Sequence, residues 1–296
     1  MVSPARKRDA VTHLKQKLEV PERRACLVIN QPRSTQRYRA QRPVKDAWLV
    51  KRLYELSRKY PRYGYRRITA TLKREGIKNN EKRVARLWRQ EGLRVPTRVH
   101  KRRRLGDSSG SSQRKCSTHM NEVWCYDFVY DQTEDGRRLK WLPLCDEFTR
   151  ENIALEVSRR IEAKDVIRVL EVAVAQRGAP KYIRSDNGPE FIAKAVRDWI
   201  ESKGFETLFI EPGSPWQNPY SETFNSKLRD ELLNMESFGS VLEAKVLGKE
   251  YRRIYNEERG HSSLDYLTPS EYARHCQLTD CATLHPSADR NKITPN

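Results

Sequence analysis

The chain has 296 residues, 37% of them hydrophobic, and 58 Lys+Arg against 39 Asp+Glu, a formal net charge of +19. At roughly 100–200 residues per domain this length predicts about two domains, each able to bury a core. Apolar runs such as 172–175 fall far short of the ~20 residues a membrane span needs, and the basic start MVSPARKRDA leads into the polar VTHLKQKLEV rather than an apolar signal region, so no membrane association and a cytoplasmic protein are expected.

The charge is unevenly divided. Residues 1–120 carry 34 Lys+Arg and 9 Asp+Glu, whereas 121–296 carry 24 and 30, or +25 against −6. A cationic segment joined to an acidic one points to a polyphosphate partner, nucleic acid, for the first. The six cysteines include no CxxC pair and read as reduced thiols.

In chain order, residues 1–44 form a basic segment, with no leucine-zipper heptad in 1–40. Residues 45–59 carry Trp48, Leu49, Leu53 and Leu56 at helical spacing, and YPRYGY at 60–65 breaks that helix. A second helix over 66–75 shows Ile68 and Leu72 one turn apart and ends at Gly76. A third, capped by Asn79 or Asn80, runs to about Gln90. Two helices joined by a short glycine-containing turn predict a small all-α helix-turn-helix domain over 45–100. On the third helix Val84, Leu87 and Trp88 share one face, with Arg83, Arg86 and Arg89 on the other. The guanidinium fork suits phosphate oxygens and the guanine edge in a major groove. Arg66, Arg67 and Lys82 complete the candidate DNA contacts. The alternative is an ordinary amphipathic helix with a solvated basic face, and the +25 charge favours DNA.

Residues 101–119, with KRRR followed by GDSSGSS, read as a flexible basic linker. Beyond it, 123–130, 139–145 and 153–157 read as strands, with Glu134-Asp135-Gly136 a turn. Residues 164–176 form a helix, 182–185 a short strand, 191–203 a helix closed by Gly204, and 206–210 a fifth strand. This order predicts an α/β domain over 120–275, a five-stranded mixed sheet with helices on both faces, then a tail at 276–296. Asn218-Pro219 reads as an N-cap and first turn, with the helix continuing to Leu233.

Three acids stand out. Asp127 is expected mid-strand, where a carboxylate is a poor strand former and costly to bury alone. Asp186 follows the strand ending at Ser185, at the carboxyl end where α/β sheets hold ligands. Glu222 lies in the first turn of the 219–233 helix. Each has an ordinary explanation singly: an ion pair, a turn, the helix dipole. Converging carboxylates repel unless cations intervene, and hard oxygen ligands select Mg²⁺ or Mn²⁺ over zinc. Two such ions about 3.5–4 Å apart suit in-line phosphoryl transfer. Arg229, two turns beyond Glu222, is expected to contact a nearby phosphate, unless it forms only a surface pair.

The motifs Trp124-Cys-Tyr-Asp127-Phe, Ser185-Asp186-Asn187-Gly188-Pro189-Glu190-Phe191, Pro215-Trp-Gln-Asn218 leading into Glu222-Thr-Phe-Asn225, Leu228-Arg229-Asp230-Glu231, Tyr255-Asn256, His261-Ser-Ser-Leu264 and Thr268-Pro269 resemble the DDE transposases of bacterial insertion sequences. The likeness is to the second-reading-frame product, OrfB, of the insertion-sequence-three family, and spans about 45–272. It implies a ribonuclease H-like integrase catalytic domain, with catalytic Asp127, Asp186, Glu222 and Arg229, the three acids holding Mg²⁺. It also implies 3′-end cleavage and strand transfer at transposon ends, with Asn187, Asn218 and Asn225 among the DNA-facing residues. Expected partners are terminal-repeat and target double-stranded DNA, further copies of the chain on that DNA, and an upstream reading-frame product joined by frameshift. A nucleoid location follows when DNA is bound. The sequence departs from the family pattern at Pro219 and Thr223, and at Gly260 and Asp265, where the family more often has proline and glycine.

His275, Cys276, Cys281 and His285 cluster, but their spacing fits no common zinc motif. Two rival functions remain: a DNA-binding regulator with an inactive integrase-like domain, and a nuclease that cuts without joining.

Overall fold

The computed structural model describes residues 4–37, 42–95, 116–185, 194–209 and 218–278. Asp186, Asn187, Cys281, His285 and most of the expected linker lie outside them. The chain divides into two compact units, Met1–Arg58 and Lys59–Asn296. No helix among the described residues is long and apolar enough to cross a membrane.

In the first unit, α1 (Pro4–Lys17), α2 (Glu22–Val28) and α3 (Arg33–Arg37) gather around Val11, Ala25 and Cys26, with Leu14, Val20 and Ile29 packed beside them. Three short helices with so few apolar residues produce no periodic stripe, and the sequence reading found no element there. Glu22 ties them together, meeting Lys15 at 3.5 Å, Arg33 at 3.7 Å and Arg37 at 2.7 Å. Next comes α4 (Arg42–Lys59), which buries Leu49, Leu53 and Leu56, whereas Trp48 from the same expected stripe is 51% exposed.

The second unit opens with Tyr60 and Tyr63, stacked at 4.6 Å, in the break between α4 and α5 (Tyr65–Arg74). Gly76 follows at φ +79°, a left-handed turn that glycine makes without strain. Asn80 then caps α6 (Glu81–Gln90), its side chain accepting from the Lys82 backbone N–H at 2.9 Å. Ile68, Leu72, Val84, Leu87 and Trp88 are buried, the apolar faces expected of both helices.

Among the described residues the sheet has six strands: β1 (Val123–Tyr126), β2 (Val129–Gln132), β3 (Arg138–Asp146), β4 (Asn152–Ser158), β5 (Tyr182–Ser185) and β6 (Glu206–Phe209). The single strand expected over 123–130 is broken at Asp127 and Phe128. Register nevertheless continues across the gap, with Tyr126 opposite Leu144 and Val129 opposite Trp141. Asp127 therefore falls opposite Pro143, which has no N–H for a ladder bond. With β1 and β2 end to end along β3, the strands fill five positions: β4, β3, β1 with β2, β5, β6. β1, β5 and β6 run parallel, and β3 runs antiparallel to its neighbours.

Successive residues of a strand point to opposite faces. Trp124 and Tyr126 pack with α7 (Ala163–Arg177) and α8 (Lys194–Ser202) through Val166, Val169, Leu170, Val196 and Ile200. Cys125 and Val129 pack on the other face with α9 (Pro219–Leu228) and α10 (Val241–Glu257) through Phe224, Leu228, Tyr251 and Tyr255. The helix expected to run unbroken to Leu233 changes after Leu228 into a π-helical turn, Arg229–Leu233. A 3₁₀ turn at Ser262–Leu264 leads to α11 (Pro269–Leu278).

Candidate active site

Asp127 sits half-buried in the strand break, on the sheet face covered by α9. Asn225 of α9 donates from Nδ2 to Asp127 Oδ2 at 2.9 Å. One turn further, Arg229 Nη2 donates to the Tyr130 carbonyl at 3.2 Å. The two bonds lay α9 across the break, while the buried Phe224 and Leu228 anchor the helix beneath. Glu222 precedes Asn225 by one turn, so it shares that face of the helix. Its side chain is exposed, without a hydrogen-bond or ion-pair partner among the described residues. Arg229 is exposed too and makes no ion pair with its helix neighbours among those residues.

Pro219 takes the first helical position and Asn218 the N-cap, as expected, but the Asn218 side chain makes no capping bond. It is buried instead, its Oδ1 lacking a partner among the described residues. The Asn218 carbonyl still accepts the first helical bond, from the Glu222 N–H at 3.1 Å. Beside β1, β5 runs parallel with Arg184 opposite Cys125. Arg184 is buried and meets the equally buried Glu147 at 3.0 Å, a pair that no sequence signal marked because partners 37 residues apart share no local pattern. β5 ends at Ser185, one residue before Asp186.

Asp127, held by an amide, and Glu222, on the helix face that carries that amide, both supply hard oxygen donors. Such a donor set fits Mg²⁺ or Mn²⁺ rather than zinc. Among the described residues no three His, Cys, Asp or Glu side chains converge, and Asp186 is not one of those residues.

Behind α9 lies a cluster the sequence reading did not single out. Arg259, 1% exposed, forks onto Glu231 of the π turn, with Nη2 to Oε1 at 2.6 Å and Nε to Oε2 at 2.7 Å. The loop and α5 reach the same segment: Arg62 pairs with Asp230 at 2.5 Å and Arg67 with Glu231 at 3.5 Å. Glu258 accepts from Tyr60, from Lys59 at 3.0 Å and from Arg253 at 2.7 Å. Burial pushes its carboxyl up, but those hydrogen bonds outweigh burial and hold it at about 2. Buried His261 is kept neutral, well below the usual histidine range, by burial and by the charges of Arg259, Lys227, Arg67 and Arg150.

Of the expected DNA contacts on the first helices, Arg66, Lys82 and Arg89 are exposed. Arg83 donates to Asn79 at 3.2 Å and Arg86 to Gln90 at 3.0 Å. Arg67 differs, turned inward to Glu231. Asn225 is engaged with Asp127, and Asn187 lies outside the described residues.

Family models agree with this layout. One described as Integrase core domain matches residues 117–215, a second of the same description 203–269, and an HTH-like domain 41–103. A 31.7 kDa protein of insertion element IS407 from Burkholderia multivorans is 40% identical over 88% of this chain and 93% of its own. A transposase for insertion sequence element IS904 from Lactococcus lactis is 27% identical over 72% of this chain and 88% of its own. Among solved structures, the HTLV-2 integrase catalytic core domain in complex with magnesium aligns with a TM-score of 0.43 and 14% identity, over 52% of this chain and 97% of that one.

Proposed function

Because the chain belongs to the insertion-sequence-three family of bacterial insertion-element transposases, with an HTH-like domain and an integrase core, we propose that it cuts transposon ends to free a 3′-hydroxyl and joins that hydroxyl to target DNA, with Asp127, Asp186 and Glu222 holding Mg²⁺. The observation that carries this reading is the Asn225–Asp127 hydrogen bond, which draws the helix bearing Glu222 to the strand break bearing Asp127. Bound there, Mg²⁺ would offset the mutual repulsion of the acids and the charge that grows on the attacked phosphodiester.

The chain's own residues do the rest. Asn225 fixes the direction of the Asp127 carboxylate. Arg229, exposed beside that site with one nitrogen on the Tyr130 carbonyl, can hold a phosphate next to the scissile one. In cleavage, water attacks phosphorus in line, the bond to the bridging 3′-oxygen breaks, and the leaving oxygen takes up a proton as the free 3′-hydroxyl. In joining, that hydroxyl is the nucleophile and a target-strand oxygen departs. No covalent bond to the protein forms in either step. The exposed Arg66, Lys82 and Arg89, with Arg83 and Arg86, are the DNA contacts of this reading. Further copies of the chain on DNA, an upstream reading-frame product and a cytoplasmic location belong to it as well.

Asp127→Asn, Asp186→Asn and Glu222→Gln in the full chain should each abolish Mg²⁺-dependent cleavage of a labelled terminal-repeat duplex while leaving duplex affinity nearly unchanged. Arg229→Ala should weaken both steps less completely. Substantial cleavage by any acid variant removes that acid from the site. Cleavage by the wild type without joined product supports the nuclease instead.

A further inference from the structure

On the side of α9 away from Asp127 is a cavity of about 190 Å³ whose lining includes Arg150, Tyr220, Thr223, Lys227 and Ser263. It is unusual in its charges. The Arg150 guanidinium lies 3.7 Å over the Tyr220 ring and donates to the Glu147 carbonyl, with no carboxylate partner among the described residues. Lys227 has no hydrogen-bond or ion-pair partner among the described residues, although it is half-buried.

The nearby acids are already committed. Glu231 is forked onto Arg259. Asp146, which also lines the cavity, accepts the backbone N–H groups of Asn121, Phe148 and Thr149 at 2.7–2.8 Å. Thr223 and Ser263 are exposed at the rim and can donate hydroxyls. Burial and the neighbouring cations Arg259, Arg67 and Arg150 lower the Lys227 ammonium to about 7, with Glu231 opposing them. A half-buried cation without a counter-charge costs stability. An anion in the cavity would remove that cost.

We propose that this cavity is a phosphate-binding site that receives one backbone phosphodiester of DNA, gripped by Lys227 and Arg150 behind the helix that carries Glu222. The volume is ample for a phosphate group, since a water occupies only ~30 Å³ in the liquid. Two cations from different elements can hold two phosphate oxygens, and the rim hydroxyls a third. The site rests on the reading that the chain acts on DNA. It adds a contact 5 residues past Glu222 on a different helix face, which would fix α9 against the substrate strand from its far side.

The test uses the full chain in EDTA, so that the acid site does not contribute, with a fluorescein-labelled 40-bp duplex titrated across potassium chloride concentration. Neutralising one phosphate contributes about 0.9 to the slope of log affinity against log salt. Lys227→Gln and Arg150→Gln should each flatten the slope by up to that amount. The double variant should lose no more than about 0.9 in all, because both groups hold one phosphate. Lys227→Arg should keep the wild-type slope.

Because Lys227 has no hydrogen-bond or ion-pair partner among the described residues, the melting temperature of Lys227→Gln should be unchanged or raised, so a variant that fails to fold overturns the proposal by showing a structural partner for Lys227. Unchanged slopes in folded variants overturn it too. If inorganic phosphate raises the melting temperature of the wild type and not of Lys227→Gln, while the slopes agree, the site takes a free anion and not DNA. A wild type that binds no duplex overturns the transposase reading itself, whereas a wild type that binds with slopes matching its variants overturns only the cavity.

Discussion

Arg259 and Glu231 are 28 residues apart in sequence and almost fully buried together. An ion pair in that position is a weak source of net stability, because desolvation offsets much of its attraction. Breaking it is another matter. Glu231→Gln leaves the Arg259 charge beside those of Lys227 and Arg67, and should cost about 3–5 kcal/mol in urea unfolding. The double variant Glu231→Gln with Arg259→Met should recover part of that loss, and a single variant as stable as wild type would show that water already compensates the charge. Glu258 gives a pH prediction. Its folded pKa, about 2, lies below the ordinary 4.5, so its stabilising effect is complete above about 4.5 and fades as pH falls toward 2. Wild type should therefore exceed Glu258→Gln in urea midpoint at pH 6 and lose that lead progressively below pH 4.5. A lead that persists at pH 2.5 means the hydrogen bonds to Tyr60, Lys59 and Arg253 are not its source.

At the scale of elements, α10 lies close on the sheet because of one glycine. A Cβ on Gly248 would come within 2.7 Å of Trp141 Cζ3 and 3.8 Å of Leu155, and Trp141 is fully buried and cannot swing away. Gly248→Ala should therefore destabilise by about 1–3 kcal/mol through overpacking, less the roughly 1 kcal/mol that alanine gains as a helix former. The net loss is read as a lower melting temperature. A rise would mean that helix and sheet separate freely. The loop from His261 to Thr268 follows a related logic. Asp265 stands at φ +50°, and a short acidic side chain is among the few that tolerate the left-handed region. Gly260, whose added Cβ would meet the Tyr266 carbonyl at 2.8 Å, is confined by contact alone.

At the scale of the molecule, α5 and the loop before it are joined to the integrase core by Arg62–Asp230, Arg67–Glu231 and Arg74 Nη1 donating to the Glu258 carbonyl at 2.8 Å. A fragment of residues 59–278 should therefore melt above one of residues 116–278, which leaves Asp230 and part of the Glu231 charge unpaired. Equal melting temperatures would mean that these contacts contribute only what exposed ion pairs do, about 0–1 kcal/mol each. Arg62 and Arg67 reach the π turn at the end of α9, and α9 also carries Asn225 and Glu222. That shared helix is the physical path by which contacts made by α5 can bear on the acids.

Local physics fixed much of this protein in advance. The glycine at 76, the asparagine cap at 80, the buried face of α6, the turn at Gly136 and the strand at Tyr182–Ser185 all follow from backbone preference and hydrophobic period, which act between near neighbours. Asp127, Glu222 and Arg229 stood out as candidates for the same reason, since a carboxylate in an apolar run or a basic residue two turns along a helix is a local anomaly. Long-range geometry decided the rest. The break at Asp127 depends on Pro143 of the facing strand. The inward turn of Arg67, the Arg259–Glu231 fork and the Arg150–Lys227 cavity each need partners far apart in sequence, and a charge shows whether it is paired, exposed or uncompensated only when the chain has closed around it.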